Sequence, residues 1–133
     1  MIRGVLADTG PLYALADSSD QYHERARQEL GRLDNEGSQV LVPYSVLCEA
    51  YTLVMRRLGT AYAGKWLDEL MAGAVLINPE PGDYSEAANQ LARFPDHAIT
   101  LVDAVTAVLA ARIEAPIWAF DRHFETLRAP PPM

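Results

Sequence analysis

The sequence predicts an α/β fold, a three-layer α/β/α sandwich built on a short central parallel sheet. Three observations lead there. Short apolar runs of strand type recur at 4–7, 40–42, 75–77 and 117–120. Helical apolar stripes fill the intervals between them. Strands that alternate with helices pair in parallel through right-handed crossovers, which leaves helices on both faces.

The elements follow in order. The first strand ends on Asp8, and Gly10-Pro11 opens a helix over 11–16 with proline at its favoured first position. Asp20 then reads as a cap before the stripe Tyr22, Ala26, Leu30 and Leu33. "NEGSQ" is a loop before the second strand. Leu47, Tyr51, Val54 and Leu58 form the next stripe, and Tyr62, Trp66 and Leu70 follow Thr60. After the third strand, "NPEPGD" is a loop, and Tyr84, Ala87 and Leu91 follow Asp83 as cap. The helix near 101–113 is apolar almost all round and is therefore expected to be buried. A last strand leads to Asp121, which suits the cap of a short helix over 122–127. Residues 1–128 read as a single domain, and "APPPM" (129–133) as a proline-rich tail.

Composition narrows the function classes. The 133 residues suffice for one substantial core. Cys48 is the only cysteine, which excludes an intramolecular disulfide; within an apolar helical pattern it is expected to be a small buried hydrophobe of a reducing cytosol. No apolar run reaches the roughly 18 residues of a membrane span, and "MIRGVLAD" is too short for a signal peptide, so a cytoplasmic protein without membrane association is expected. A formal charge of −7 disfavours non-specific attraction to nucleic acid. Any such role needs a local basic patch or metal ions. The candidate phosphate grips are Arg56, Arg57, Lys65 and Arg122, each of which also suits a surface ion pair.

Four acids stand out. Binding groups of a parallel sheet collect at the carboxyl ends of its strands, where both Asp8 and Asp121 fall. Each alone serves equally as a helix cap. Asp103 has a sharper bland reading, since Thr100 and Asp103 resemble a capping box. It is also the one charge between His97 and Arg112 in a helix built for burial, and a buried carboxylate is costly unless paired or metal-bound. Glu49 sits nearly opposite its helix's apolar stripe, so periodicity alone favours a solvated surface glutamate.

"VLADTGPLYALAD", "VPYSVLCEAYTLVMRRLG", "TLVDAVTAVLAA" and "IWAFDRHF" together resemble the PIN-domain family, closest to its VapC-type members, the toxins of prokaryotic toxin–antitoxin pairs. The likeness runs over about residues 4 to 127. It implies a metal-dependent endoribonuclease whose four acids are Asp8 of the first strand, Glu49 after the second, Asp103 opening the long helix and Asp121 before the last short one. Thr9 matches the hydroxyl residue that often follows the first acid. The family frequently has threonine two residues before its last acid, where this chain has Ala119, and often ends in a further strand, for which "TLRAPPPM" leaves little material. The resemblance also implies an RNA substrate, a cognate antitoxin and a homodimer. Tyr51, Val54, Met55, Tyr62 and Trp66 are candidates either for those contacts or for plain core.

Clustered carboxylates repel and raise one another's pKa, and a hard cation such as Mg²⁺ or Mn²⁺ reverses this. Asp8 and Asp103 are the expected direct ligands, with Asp121 direct or through water. Glu49 is expected to orient a water or to hold a second ion. Hydrolysis by a metal-activated water would leave a 5′-phosphate and a 3′-hydroxyl. His23, His97 and His123 have no ligand-like spacing. A haloacid-dehalogenase phosphatase would need an acid at Gly10, and neither a Walker loop nor GxGxxG is present. The alternative from another class is a catalytically weakened PIN-like module acting by RNA or protein binding.

Overall fold

The computed structural model describes residues 3–120 together with Phe124 and Leu127. Asp121, Arg122 and His123, most of the expected terminal helix and the tail lie outside the described residues. In chain order the elements are β1 (Gly4–Ala7), α1 (Thr9–Ala16), α2 (His23–Asn35), β2 (Gln39–Pro43) and α3 (Tyr44–Leu58). There follow α4 (Thr60–Gly73), β3 (Val75–Ile77), α5 (Pro81–Arg93), α6 (Leu101–Ile113) and β4 (Ile117–Trp118). The sheet runs β3-β2-β1-β4 with every pair parallel, Val5 opposite Val40, Val42 opposite Leu76 and Leu6 opposite Ile117.

Alternation along the strands divides the core between the two faces. Ala7, Val42 and Trp118 pack with Leu12 and Ala14 of α1, Ala26 and Leu33 of α2, and Val46, Leu47 and Ala50 of α3. Leu6 and Leu41 pack on the other face against Leu109 and Ala110 of α6. Helix α5 then lies against α6 through Ala87, Ala104 and Val105. That is the expected three-layer sandwich, with a sheet short enough that helices supply most of the buried surface.

Several boundaries moved for local reasons. Helix α1 begins two residues earlier than proline suggested, with Asp8 at its N-cap position. Asp20 does not cap α2: its Oδ2 accepts the Tyr22 amide at 2.9 Å in a turn ahead of the helix, and Tyr22 takes the N-cap position. Gly59 (φ 94°) lets α3 turn directly into α4, so Thr60 is already helical. The helix α5 starts at Pro81, with Glu80 as cap and Asp83 inside the first turn.

Two burial expectations are corrected. Cys48 is exposed. On α3 the buried residues are Val46, Leu47, Ala50 and Val54, and a residue one step beyond Leu47 at about 100° per residue points away from that face. Helix α6 buries residues 103–106, with Leu109 and Ala110, but leaves Leu101 47% exposed and Ala111 exposed. The sheet and α5 cover only part of its circumference. Of the five residues offered for contacts or core, Tyr51, Met55 and Trp66 pack against the buried cluster of Val54, Tyr13, Ala16 and Ala63, which is core filling between α3 and α4. Tyr62 stays 46% exposed, and its hydroxyl donates to the Ala16 carbonyl at 2.6 Å.

An ion pair between exposed Arg112 and buried Asp83 ties the outer layer together. Arg112 Nε and Nη2 donate to Asp83 Oδ1 and Oδ2, both at 2.9 Å, linking α6 to α5. The guanidinium holds the Asp83 carboxyl below its ordinary value, against the opposing effect of burial. The Glu80 amide donates to the same carboxylate at 2.8 Å.

Candidate active site

A cleft of about 450 Å³ opens at the carboxyl edge of the sheet, and Asp8, Glu49 and Asp103 all line it. Three elements far apart in sequence bring them there. Asp8 follows directly from β1, and its amide donates to the Trp118 carbonyl at 3.0 Å, which places it beside the end of β4. Glu49 lies in the second turn of α3, whose first residue follows the end of β2. Asp103 lies in the first turn of α6.

The three acids are held in different ways. Asp8 is 5% exposed and occupies the N-cap position of α1, yet its side chain makes no capping hydrogen bond to that helix. The bland reading of Asp8 as a cap therefore fails on geometry. Asp103 does cap: its Oδ2 accepts the Thr100 amide at 3.2 Å while its own amide donates to Thr100 Oγ1 at 3.1 Å. At 7% exposure it lines the cleft as well, so capping the helix does not remove it from the site. Glu49 is half-buried, and the Thr9 hydroxyl donates to its Oε1 at 2.7 Å. Periodicity had favoured a solvated glutamate there. The side opposite the apolar stripe of α3 turns out to face the cleft, with the residue after Asp8 as its partner.

Arg57 is the one cation among the described residues lining the cleft; Arg56 and Lys65 do not line it. The Arg57 guanidinium lies 4.9 Å from the centre of the Tyr13 ring. The Tyr13 hydroxyl in turn donates to Asp17 Oδ2 at 2.6 Å. Burial, with the carboxylate beside it, pushes the Tyr13 phenol up, and the hydroxyl's hydrogen bond holds the Asp17 carboxyl down. This small network keeps a guanidinium ready at the cleft.

The structure adds lining residues that the motifs did not single out for chemistry, namely Asp20, Tyr22 and Phe120. In the sequence Tyr22 belongs to an apolar helical stripe and Phe120 to a run of strand type. Their shared position next to Asp8 depends on how α2 and β4 pack, which no local pattern records. Among the described residues, no three His, Cys, Asp or Glu side chains converge closely enough to enclose an ion by themselves. The carboxylate arrangement is open, and Asp121 lies outside the described residues.

Known proteins share this fold. The PIN domain family model matches residues 5–130. The Mycobacterium tuberculosis protein Ribonuclease VapC26 is 30% identical over 127 residues, covering 93% of this chain and 92% of that protein. Among solved structures, Mycobacterium tuberculosis VapC20, a toxin that cleaves the sarcin-ricin loop, superposes with a TM-score of 0.81 at 22% identity. It covers 94% of this chain and 95% of its own. VapBC2 from Rickettsia felis, solved bound to a DNA fragment of its promoter, gives 0.74 at 16% identity over 96% and 94% of the two chains. The match takes in all three described acids and both ends of the sheet, so this protein belongs to the PIN-domain family.

Proposed function

We propose that this protein is a metal-dependent endoribonuclease, the toxin of a toxin–antitoxin pair, which hydrolyses RNA phosphodiesters in the carboxylate cleft. The observation that carries the reading is the convergence of Asp8, Glu49 and Asp103 at one edge of the sheet. It is supported by a ribonuclease among the relatives and by a toxin and a VapBC protein among the structural neighbours.

The residues present fit a hard divalent ion. The described lining offers carboxylate and hydroxyl oxygens but neither histidine nor cysteine, which suits Mg²⁺ or Mn²⁺ better than zinc. Mg²⁺ is commonly held by one or two carboxylates with water and substrate phosphate, so an open arrangement is what it needs. Asp8 and Asp103 would hold it, with Asp121 as the fourth acid of the set. A bound ion supplies charge neutralisation at the scissile phosphate and acidifies the attacking water. Glu49, fixed by the Thr9 hydroxyl, orients that water and accepts its proton. Arg57 grips a phosphate oxygen, and its ring contact with Tyr13 limits the freedom it loses on binding. In a chain of charge −7, this cation and the ion are what make an RNA backbone welcome.

The test is cleavage of single-stranded RNA by the purified protein. Mg²⁺ or Mn²⁺ should support it, EDTA should abolish it, and the products should carry 5′-phosphate and 3′-hydroxyl ends. Products ending in a 2′,3′-cyclic phosphate would overturn the mechanism.

A further inference from the structure

The cleft has an aromatic side that the acid chemistry leaves unused. Tyr22 and Phe120 both line it, with ring centroids 5.1 Å apart and planes inclined at 38°. The Arg25 guanidinium lies 4.5 Å from the centre of the Phe120 ring. The chain around Tyr22 is held firmly. Its amide donates to Asp20 Oδ2 at 2.9 Å, and its carbonyl accepts the Ala26 amide at 2.9 Å as α2 begins.

Helix stability does not account for this tyrosine. It occupies the N-cap position of α2, where Ser, Asp or Asn would satisfy helix amides, and its side chain makes no capping bond. Nor is it simply core, because 40% of its surface remains exposed. A rigidly mounted ring left partly in water, beside acids and a cation, has the properties of a stacking surface. Single-stranded RNA is read largely by aromatic rings that take up splayed bases, and such stacking tolerates any base because each has a π-face.

We propose that Tyr22, backed by Phe120 and Arg25, is a platform on which a base flanking the scissile phosphate stacks. The inference rests on the ribonuclease reading of the same cleft and narrows its substrate. The RNA enters single-stranded or as a loop, since a base inside a duplex offers no free face. Tyr22 is here a binding residue for the nucleobase; the cut itself belongs to the carboxylates.

The experiment titrates a short single-stranded RNA carrying one 2-aminopurine with the full chain, in Ca²⁺ so that the acids are neutralised. Stacking quenches the probe, and anisotropy gives the affinity. Wild type and Tyr22→Phe should quench it. Tyr22→Leu keeps an apolar cover on Phe120 but has no ring, so it should lose the quenching and bind roughly 5- to 100-fold more weakly. Thermal melting checks that each variant is folded. Tyr84→Leu, on α5 away from the cleft, should behave as wild type. No quenching by wild type, or quenching that Tyr22→Leu retains, overturns the platform. Quenching by a wild type that cleaves no RNA with Mg²⁺ or Mn²⁺ counts against the ribonuclease reading alone and leaves the platform standing.

Discussion

Asp103→Asn separates the capping role of Asp103 from the ligand role proposed for it. Asparagine keeps an oxygen able to accept the Thr100 amide, so the reciprocal bonds at 3.2 and 3.1 Å survive the change. What disappears is the negative charge. Its loss from the first turn of α6 costs about 0.3–1 kcal/mol of favourable interaction with the helix dipole. In the other direction, Asp8, Asp20, Glu49 and Asp103 line one cleft, and deleting one negative charge from the metal-free protein relieves like-charge repulsion there. The two effects oppose, so the metal-free variant should melt within about 5 °C of wild type.

Adding Mn²⁺ makes the difference visible. An ion that binds only the folded protein stabilises it by about 2.7 kcal/mol at a hundredfold excess over its dissociation constant. For a domain of this size that is a rise of roughly 10 °C in Tm. Wild type should show the rise, and Asp103→Asn should lose most of it together with RNA cleavage. Calorimetry with and without Mn²⁺, run beside a cleavage assay, reads both. A variant that cleaves at the wild-type rate and is stabilised equally by Mn²⁺ would refute the ligand role and leave Asp103 a helix cap alone.

Two other perturbations test neighbouring parts of the structure. Thr9→Val keeps the shape but removes the donor to Glu49, so kcat should fall about 10- to 100-fold with KM little changed; unchanged kcat would mean that Glu49 needs no positioning. Arg112→Met leaves the Asp83 carboxylate buried without its bidentate partner and should lower the midpoint of urea unfolding, while the folded variant still cleaves RNA. The same pair gives the acid limb its sign. Because the folded Asp83 carboxyl is held below its ordinary value near 3.8, its stabilisation is present above that pH and is lost as pH falls towards the lower folded value. Asp83→Asn should therefore flatten the loss of stability below about pH 4.

The parts of this molecule legible in the sequence are those with local causes. Strands β1 and β3 fall where the apolar runs put them, and α3 follows its stripe, because a short hydrophobic run bounded by turn residues carries its own signal. Helix starts were less legible. Asp20, Thr60 and Asp83 all look like caps, but the capping positions are Tyr22, Gly59 and Glu80. A small polar residue near a helix start can bond an amide just ahead of the helix or one inside its first turn, and only the folded chain decides which. Cys48 and Glu49 show the same limit in tertiary form. Both lie off the apolar stripe of α3, yet one faces outward and the other meets Thr9, forty residues earlier in the chain.

The deeper difficulty is that this fold gathers acids at one edge whether or not they do chemistry. Crossover helices begin at the carboxyl edge of a parallel sheet, and helix N-termini favour negative charge. Asp83 shows where that tendency ends without a site: it stands in the first turn of α5 and is consumed by Arg112 and the Glu80 amide. Asp103 obeys the tendency and also lines the cleft, so its position alone does not distinguish cap from ligand. Asp8 and Glu49 do. Asp8 sits at an N-cap position and makes no capping bond, and Glu49 stands too far into α3 to cap anything while Thr9 aims it. Acids that cap neither of their own helices, brought together from two different crossovers, are the part of this edge that helix capping does not explain, and they are where the chemistry should be tested first.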